Sequence, residues 1–315
     1  MPGPLSANHI DFVILSRGEE PVLILPQESF GLHSNSLVIR RINLPRQHST
    51  PNMCPNPLTN RNHPNCPIQE PRMADHLPPI SDETLDILKT IPTPTLIDAL
   101  WVMKWPPSYI HGARPLHPDM KMAGRAVTLR FVPWRNDIWD DMPKGLISPE
   151  YVAFEKCGPY EVLVASAIGP WESIGGDIKF LRLKQLQVGG LVTDGSVRDS
   201  TILKGYGYPV YSHSTTAKQG PAVMVPWGVN DTINCGGVLV RPGDAIVGDE
   251  DGVVVVPHET VDDVIRIAQE REEIEEVVKA ELEANPGPPG RYYPFNENTW
   301  KLYEEKTGKK PMGRG

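Results

Sequence analysis

From residue 81 onward the chain alternates between two hydrophobic periods. "SDETLDILKTI" (81–91) spaces its apolar residues for a helix, with Ser81 as N-cap and Asp82 and Glu83 in the first turn. "TPTLIDALW" (93–101) predicts a second helix: Thr93 caps it, Pro94 takes the first helical position, and Leu96, Ile97 and Leu100 share a face. "GRAVTLRFV" (124–132) alternates like a strand, and "YEVLVASAI" (160–168) reads as a buried one. "DIKFLRLKQLQ" (177–187) returns to helical spacing, with Ile178, Leu181 and Leu186 as its apolar residues and Phe180 and Leu183 beside them. "GGLVTDG" (189–195) and "YPVYSH" (208–213) are strands. "GGVLVRPGDAIVGDEDGVVVVP" (236–257) holds three short β segments separated by Pro-Gly and Asp-Gly turns. A long helix over 259–284 presents Val261, Val264, Ile265, Ala268, Val277 and Val278, opposed by a charged "EREEIEE". These elements predict one mixed α/β domain over residues 80–284, without internal repeats. Residues 285–315 form a Pro/Gly linker and a short amphipathic tail, a C-terminal arm.

Residues 1–72 follow neither period. "FVILS" and "PVLILP" have the length of short strands, but nothing nearby completes a sheet. "PRQHSTPNMCPNPLTNRNHPNCPIQEPR" has too little apolar surface to offset chain entropy, so this extension is expected to be disordered. Because the ordered pattern begins just after it, Met73 is a candidate functional start.

Composition narrows the classes. With 39% hydrophobic and 22% charged residues, the 315-residue chain has the balance of a soluble globular protein. A net charge of −8 without Lys/Arg clusters argues against a nucleic-acid ligand. Cys54, Cys66, Cys157 and Cys235 are too few and scattered for a disulfide framework, which fits a reducing, cytoplasmic setting. Cys54, His63 and Cys66 lack the second ligand pair of a structural zinc site. No apolar run is long enough for a membrane span, and "DFVIL" is too short for a secretory signal.

Two turns carry candidate chemistry. In "WESIGGDIKFL" (171–181), Gly175 and Gly176 lie between a strand and a helix. Free N–H groups at such a helix start attract anions, and glycine lets a ligand approach the backbone. A plain strand-to-helix turn with Asp177 as first-turn acid is the ordinary alternative. After the following strand come Arg198 and Asp199. The guanidinium fork matches a carboxylate, and the aspartate is a hard oxygen ligand suited to Mg²⁺. Taken alone, such a pair is also a common surface salt bridge or helix cap. Together, the two turns would meet at one edge of a parallel sheet. There they would converge on a small anion, a combination suited to a 2-oxo acid whose developing enolate needs stabilising.

At this point "GGDIKFLRLKQLQVGGLVTDGSVRDS", with "TPTLIDAL", "GRAVTL" and "GGVLVRPGDAIVGDEDGVVVVP", resembles the RraA-like family over residues 85–284. That family includes 4-hydroxy-4-methyl-2-oxoglutarate and 4-carboxy-4-hydroxy-2-oxoadipate aldolases and associated oxaloacetate decarboxylases. The resemblance implies a swivelling β/β/α domain in trimers or pairs of trimers, with the site near a subunit boundary. It implies that backbone N–H groups of Gly176, Asp177, Ile178 and Lys179 bind the pyruvate portion, that Arg198 binds substrate, and that Asp199 binds Mg²⁺ or Mn²⁺. Two positions depart from the pattern. Ile202 stands where an acid often follows the aspartate, and Lys179 stands where an apolar residue is usual. The segment 132–160 is longer and more aromatic than usual and is expected to reshape the pocket.

The resulting expectation is a metal-dependent lyase acting on a small 2-oxo acid, by retro-aldol cleavage to pyruvate or by oxaloacetate decarboxylation. The competing readings are a non-catalytic regulator of the ribonuclease E inhibitor type and a related lyase or hydratase of a specialised pathway. His213 as an acid/base, Lys179 as a Schiff-base nucleophile and the acids of "GDEDG" as a metal site are weaker candidates. For "GDEDG" an ordinary hairpin turn is the preferred reading.

Overall fold

The computed structural model describes residues 78–312. The strands, disorder and zinc site considered for residues 1–72, and the start at Met73, lie outside the described residues.

The chain opens with helices α1 (Asp82–Thr90) and α2 (Thr93–Val102). Ser81 caps α1 by accepting the Thr84 amide at 3.2 Å. Thr93, expected as a cap, is instead the first helical residue of α2. Pro92 precedes it and has no side-chain acceptor to offer. The Thr93 amide and hydroxyl both donate to the Asp249 carboxylate, at 2.8 and 2.7 Å, so the cap comes from the far end of the domain.

The strands and helices that follow are β1 (Arg114–Pro115), β2 (Met122–Pro133), α3 (Asn136–Asp141), α4 (Pro149–Phe154), β3 (Glu161–Ser166), α5 (Asp177–Gln185), β4 (Gly190–Thr193), β5 (Ser196–Val197) and α6 (Ser200–Leu203). Then come β6 (Val210–Ser212), β7 (Ser214–Thr215), β8 (Met224–Val229), β9 (Ile233–Cys235), β10 (Val238–Val240), β11 (Ala245–Asp249), β12 (Gly252–Val256), α7 (Val261–Ala284) and α8 (Glu297–Thr307).

Strand β2 organises the sheet, whose order is β1-β6-β4-β3-β2-β11-β12. One edge of β2 runs parallel to β3 from Arg125 to Arg130. Its other edge is shared: β11 pairs antiparallel with Met122–Arg125, and β8 with Leu129–Pro133, with a register shift between Arg130 and Phe131. The two ends of the sheet are joined by residues 108–115. The Ile110 amide donates to Val253 O and the Val255 amide to Ser108 O, while β1 pairs with β6. The sheet is therefore a nearly closed barrel, and the mixed α/β single domain expected from the sequence is what forms.

Side-chain alternation divides the core. Met122, Ala126, Val162, Val164, Val192, Tyr211, Ile246 and Val255 point inward, plugged by the β9–β10 hairpin through Ile233, Cys235, Val238 and Val240. Val127, Leu129, Phe131, Leu163 and Ala165 point outward and are covered by Phe154, Phe180 and Leu183 from α4 and α5. Both faces of β2 and β3 are thus buried, which is why their sequences read as nearly continuous apolar runs.

Helices α1, α2 and α7 cover β11 and β12. The buried line of α7 is Val261, Val264, Ala268, Ile274 and Val278. The expected solvated "EREEIEE" face is a seam instead. Arg271 pairs with Asp98 at 2.7 Å, Glu272 accepts the Thr95 hydroxyl, and Glu273 accepts the Tyr303 hydroxyl and pairs with Lys309. Helix α8 packs on α7 through Trp300, Leu302 and Tyr303 against Ile274 and Val278.

Candidate functional site

The site begins with a short parallel ladder outside the main sheet. The Ser196 amide donates to Glu172 O at 2.9 Å, the Ile174 amide to Ser196 O at 3.0 Å, and the Arg198 amide to Gly175 O at 2.9 Å. On the other side β5 pairs in parallel with β7. This ladder places the Gly175–Gly176 turn beside Arg198–Asp199. Gly176 is required by the closeness of that approach. A Cβ there would collide with Asp199 Oδ2 and sit 3.1 Å from Arg198 Cβ.

Asp199 has φ 56° and ψ 37°, the left-handed region that costs a non-glycine residue about 1 kcal/mol or more. Its Oδ2 accepts the Asp177 amide at 3.1 Å, and its carbonyl accepts the Ile202 and Leu203 amides. The strained residue is therefore held from both sides, by the start of α5 and by α6.

Helix α5 is anchored by Phe180 and Leu183, both fully buried. Ile178 and Leu181, expected on its apolar face, are exposed, Ile178 by 80%. The first-turn amides of α5 do seek anions, and the protein supplies two: Asp199 on Asp177 N, and Asp177 Oδ1 on Ile178 N at 2.7 Å. Tyr206 donates to Asp177 O at 3.0 Å. Desolvation and the neighbouring Asp177 and Asp199 charges raise its phenol above the ordinary value, so it stays a donor.

Lys179, which departs from the family pattern, has a matching partner. Its ammonium lies 2.8 and 2.7 Å from the two oxygens of Glu150, a buried carboxylate on α4. The pair ties α4 to α5. Glu150 has no local sequence signal beyond a first-turn acid after Ser148-Pro149, since its partner is 29 residues away.

All six residues singled out from the sequence, Gly176, Asp177, Ile178, Lys179, Arg198 and Asp199, line one cavity of about 670 Å³. The segment 132–160 supplies a wall of it, through Trp139, Met142, Lys144, Ser148, Glu150 and Tyr151. Gln219, Gly220 and Pro221 complete the lining near Ser173 and were not marked by any sequence pattern.

The other candidates lie elsewhere. His213 packs against Gly112 and edge-on to Trp171, at 5.1 Å between ring centroids. "GDEDG" is the β11–β12 hairpin: Asp249 holds α2, and Glu250 accepts the Asp119 amide. Asp194 ends β4 by accepting the Ala167 and Gly236 amides, and burial raises its carboxyl above the ordinary value.

Among the described residues no three His, Cys, Asp or Glu side chains cluster as a metal cage. That rules poorly for a structural zinc site but suits Mg²⁺, which is usually held by one or two carboxylates together with waters and substrate oxygens. Asp199, whose carboxylate lines the cavity and accepts the Asp177 amide, offers one such oxygen donor. Cys157 and Cys235 are buried in the core, and burial pushes the Cys157 thiol up to about 12.

The chain is 30% identical over 198 residues to a protein of Halalkalibacterium halodurans named "Putative 4-hydroxy-4-methyl-2-oxoglutarate aldolase", covering 62% of this chain and 87% of that protein. It superposes on Streptomyces coelicolor RraAS2, described as an unusual member of the RNase ES inhibitor RraA family. The TM-score is 0.59 and the identity 28%, over 64% of this chain and 98% of that one. An uncharacterized protein of Pseudomonas syringae shares the fold, with TM-score 0.58 and 22% identity over 68% and 98% of the two chains. No helix among the described residues is long and apolar enough to cross a membrane. The family model for RraA-like proteins, described as Aldolase/RraA, matches residues 93–255, just over half of the chain and all of the site. This chain belongs to the RraA-like family.

Proposed function

We propose that the protein is a divalent-metal-dependent carbon–carbon lyase acting on a small 2-oxo acid, releasing pyruvate or decarboxylating oxaloacetate. The observation that carries the reading is the junction at Gly176, where a strained Asp199, the Arg198 backbone and the start of α5 meet in one cavity. Arg198 holds the substrate carboxylate, helped by the amides at 176–179. For Asp177 N to serve the substrate, the Asp199 carboxylate must leave it, and Asp199 would then be the residue that holds a Mg²⁺ or Mn²⁺ ion. When bound, the divalent ion supplies Lewis-acid polarisation of the keto oxygen and countercharge for the enolate formed as the adjacent C–C bond breaks. The Lys179 ammonium is ion-paired with both oxygens of Glu150, so Lys179 ties α5 to α4 and is not read as a Schiff-base nucleophile. Exposed Ile178, Leu181 and Ile202 beside the site support assembly into a trimer or a pair of trimers.

The test is a 2-oxo acid screen with Mg²⁺ or Mn²⁺, reading pyruvate, with and without EDTA. Metal-dependent release that Asp199→Ala abolishes is the expected result, and full activity in that variant refutes it. The likeness to RraAS2 favours a second reading, a protein-binding regulator. That reading gains if no 2-oxo acid is turned over and the chain inhibits an RNase E-type nuclease.

A further inference from the structure

The cavity is much larger than a three-carbon keto acid requires. Its volume of about 670 Å³ falls within the range of pockets that take drug-sized ligands, about 300–1,000 Å³. Beyond the polar turn at 173–179 and Arg198–Asp199, its lining includes Phe131, Trp139, Met142, Tyr151, Met224 and Pro226. Phe131 and Pro226 face each other across the β2–β8 ladder, so this wall rests on the sheet. Trp139 is held differently. It stacks on Trp134 at 4.5 Å between centroids and carries the Lys144 ammonium 4.9 Å from its ring centroid. Helix α3 buries no residue in the core, so packing of the fold does not explain why an indole stands there.

The cations of the cavity are unevenly available. Lys179 is neutralised by Glu150. Lys144 is exposed, bound to the Trp139 carbonyl at 2.7 Å and resting on its ring. Arg198 makes no salt bridge among the described residues and lines the cavity beside the anion-seeking turn. The site therefore has one carboxylate-binding pole beside the anion-seeking turn, at Arg198, with Lys144 as a second, solvent-exposed cation, and aromatic and thioether side chains make up much of the remaining wall.

We infer that the substrate is a 2-oxo acid carrying an aryl or similarly bulky apolar group away from the keto acid, seated against Trp139, Met142 and Tyr151. The inference rests on the proposed grip of Arg198 on the carboxylate and adds the class of the distal group. Trp139 is a specificity-determining residue in this arrangement.

Calorimetric titration of the full chain with Mg²⁺ tests it, using pyruvate, phenylpyruvate and 2-oxoglutarate as probes. Burying a phenyl ring lowers the dissociation constant of phenylpyruvate by about tenfold or more relative to pyruvate. Trp139→Ala shrinks that ratio to below about threefold, and Trp139→Phe retains most of it. Tightest binding of 2-oxoglutarate, equal binding of all three, or no binding of any overturns the inference. So does a ratio that survives Trp139→Ala. The lyase reading fails separately: aryl preference without pyruvate release from any 2-oxo acid leaves the inference standing and removes the activity. Turnover without aryl preference does the reverse.

Discussion

Gly176→Ala probes the junction on which the functional reading depends. The backbone of Gly176, φ −150° and ψ −160°, is accessible to alanine, so the substitution has no conformational penalty of its own. Its effect is steric. The new methyl group collides with Asp199 Oδ2 and presses Arg198 Cβ at 3.1 Å. The flexible end of Asp199 must leave the Asp177 amide, losing an exposed, solvent-screened hydrogen bond of about 0.5–1.5 kcal/mol. A loss near 1 kcal/mol lowers the melting temperature by roughly 2–4 °C for a domain of this size. On the proposed role of Asp199 the functional loss is larger in proportion, because an ångström of misplacement in a carboxylate proposed to hold the metal costs about 100-fold in kcat/KM. The assay is pyruvate release from oxaloacetate with Mg²⁺, beside thermal denaturation. Gly169→Ala is the control, since a Cβ there meets nothing within 4 Å. If Gly176→Ala melts and turns over like the Gly169→Ala protein, the steric argument and the role given to Asp199 are both wrong.

Three further outcomes follow from the described contacts. Lys179→Met strands the buried Glu150 charge and costs about 2–3 kcal/mol near pH 8. Equilibrium urea denaturation reads the loss, and a variant as stable as the wild type would contradict it. Burial raises Asp194 and Asp244 in the wild type, so the folded state holds more protons than the unfolded state just above pH 3.8. The contribution of these two carboxyls to stability therefore declines as pH climbs through that window, and Asp194→Asn should remove its share, read as a mutant-minus-wild-type difference in a pH series of melting curves. Asp249→Ala removes the acceptor for the Thr93 amide and hydroxyl, costing about 1–2 kcal/mol in chemical denaturation, with little further loss when Thr93→Val is added.

Local patterns carried much of the site into view. The glycine-acid turn and the Arg-Asp pair were separately ambiguous, and their spacing across one helix and one strand made them neighbours on paper. The ladder between 172–175 and 196–198 makes them neighbours in space. What stayed hidden is non-local. Nothing near Lys179 announces Glu150, and nothing near Thr93 announces an acceptor 156 residues away. Helix α5 carries apolar residues around most of its circumference, so periodicity could not decide whether Phe180 and Leu183 or Ile178 and Leu181 faced the core. The outer surface of β2 and β3, which needs cover, made that choice. The charged run in α7 misled for a similar reason. Composition marks it as solvated, whereas its partners Asp98, Thr95 and Tyr303 belong to two other helices.

The dependence of α2 on Asp249 and Arg271 also orders events at the ribosome. At about 5–20 residues per second, roughly 8–30 s separate the emergence of Thr93 from that of its acceptor. Until then the first helices of the domain have neither their carboxylate cap nor the strands they rest on, and their apolar faces stay uncovered. A nascent chain stalled before residue 249 would therefore present those faces to chaperones, and one stalled after α7 would not.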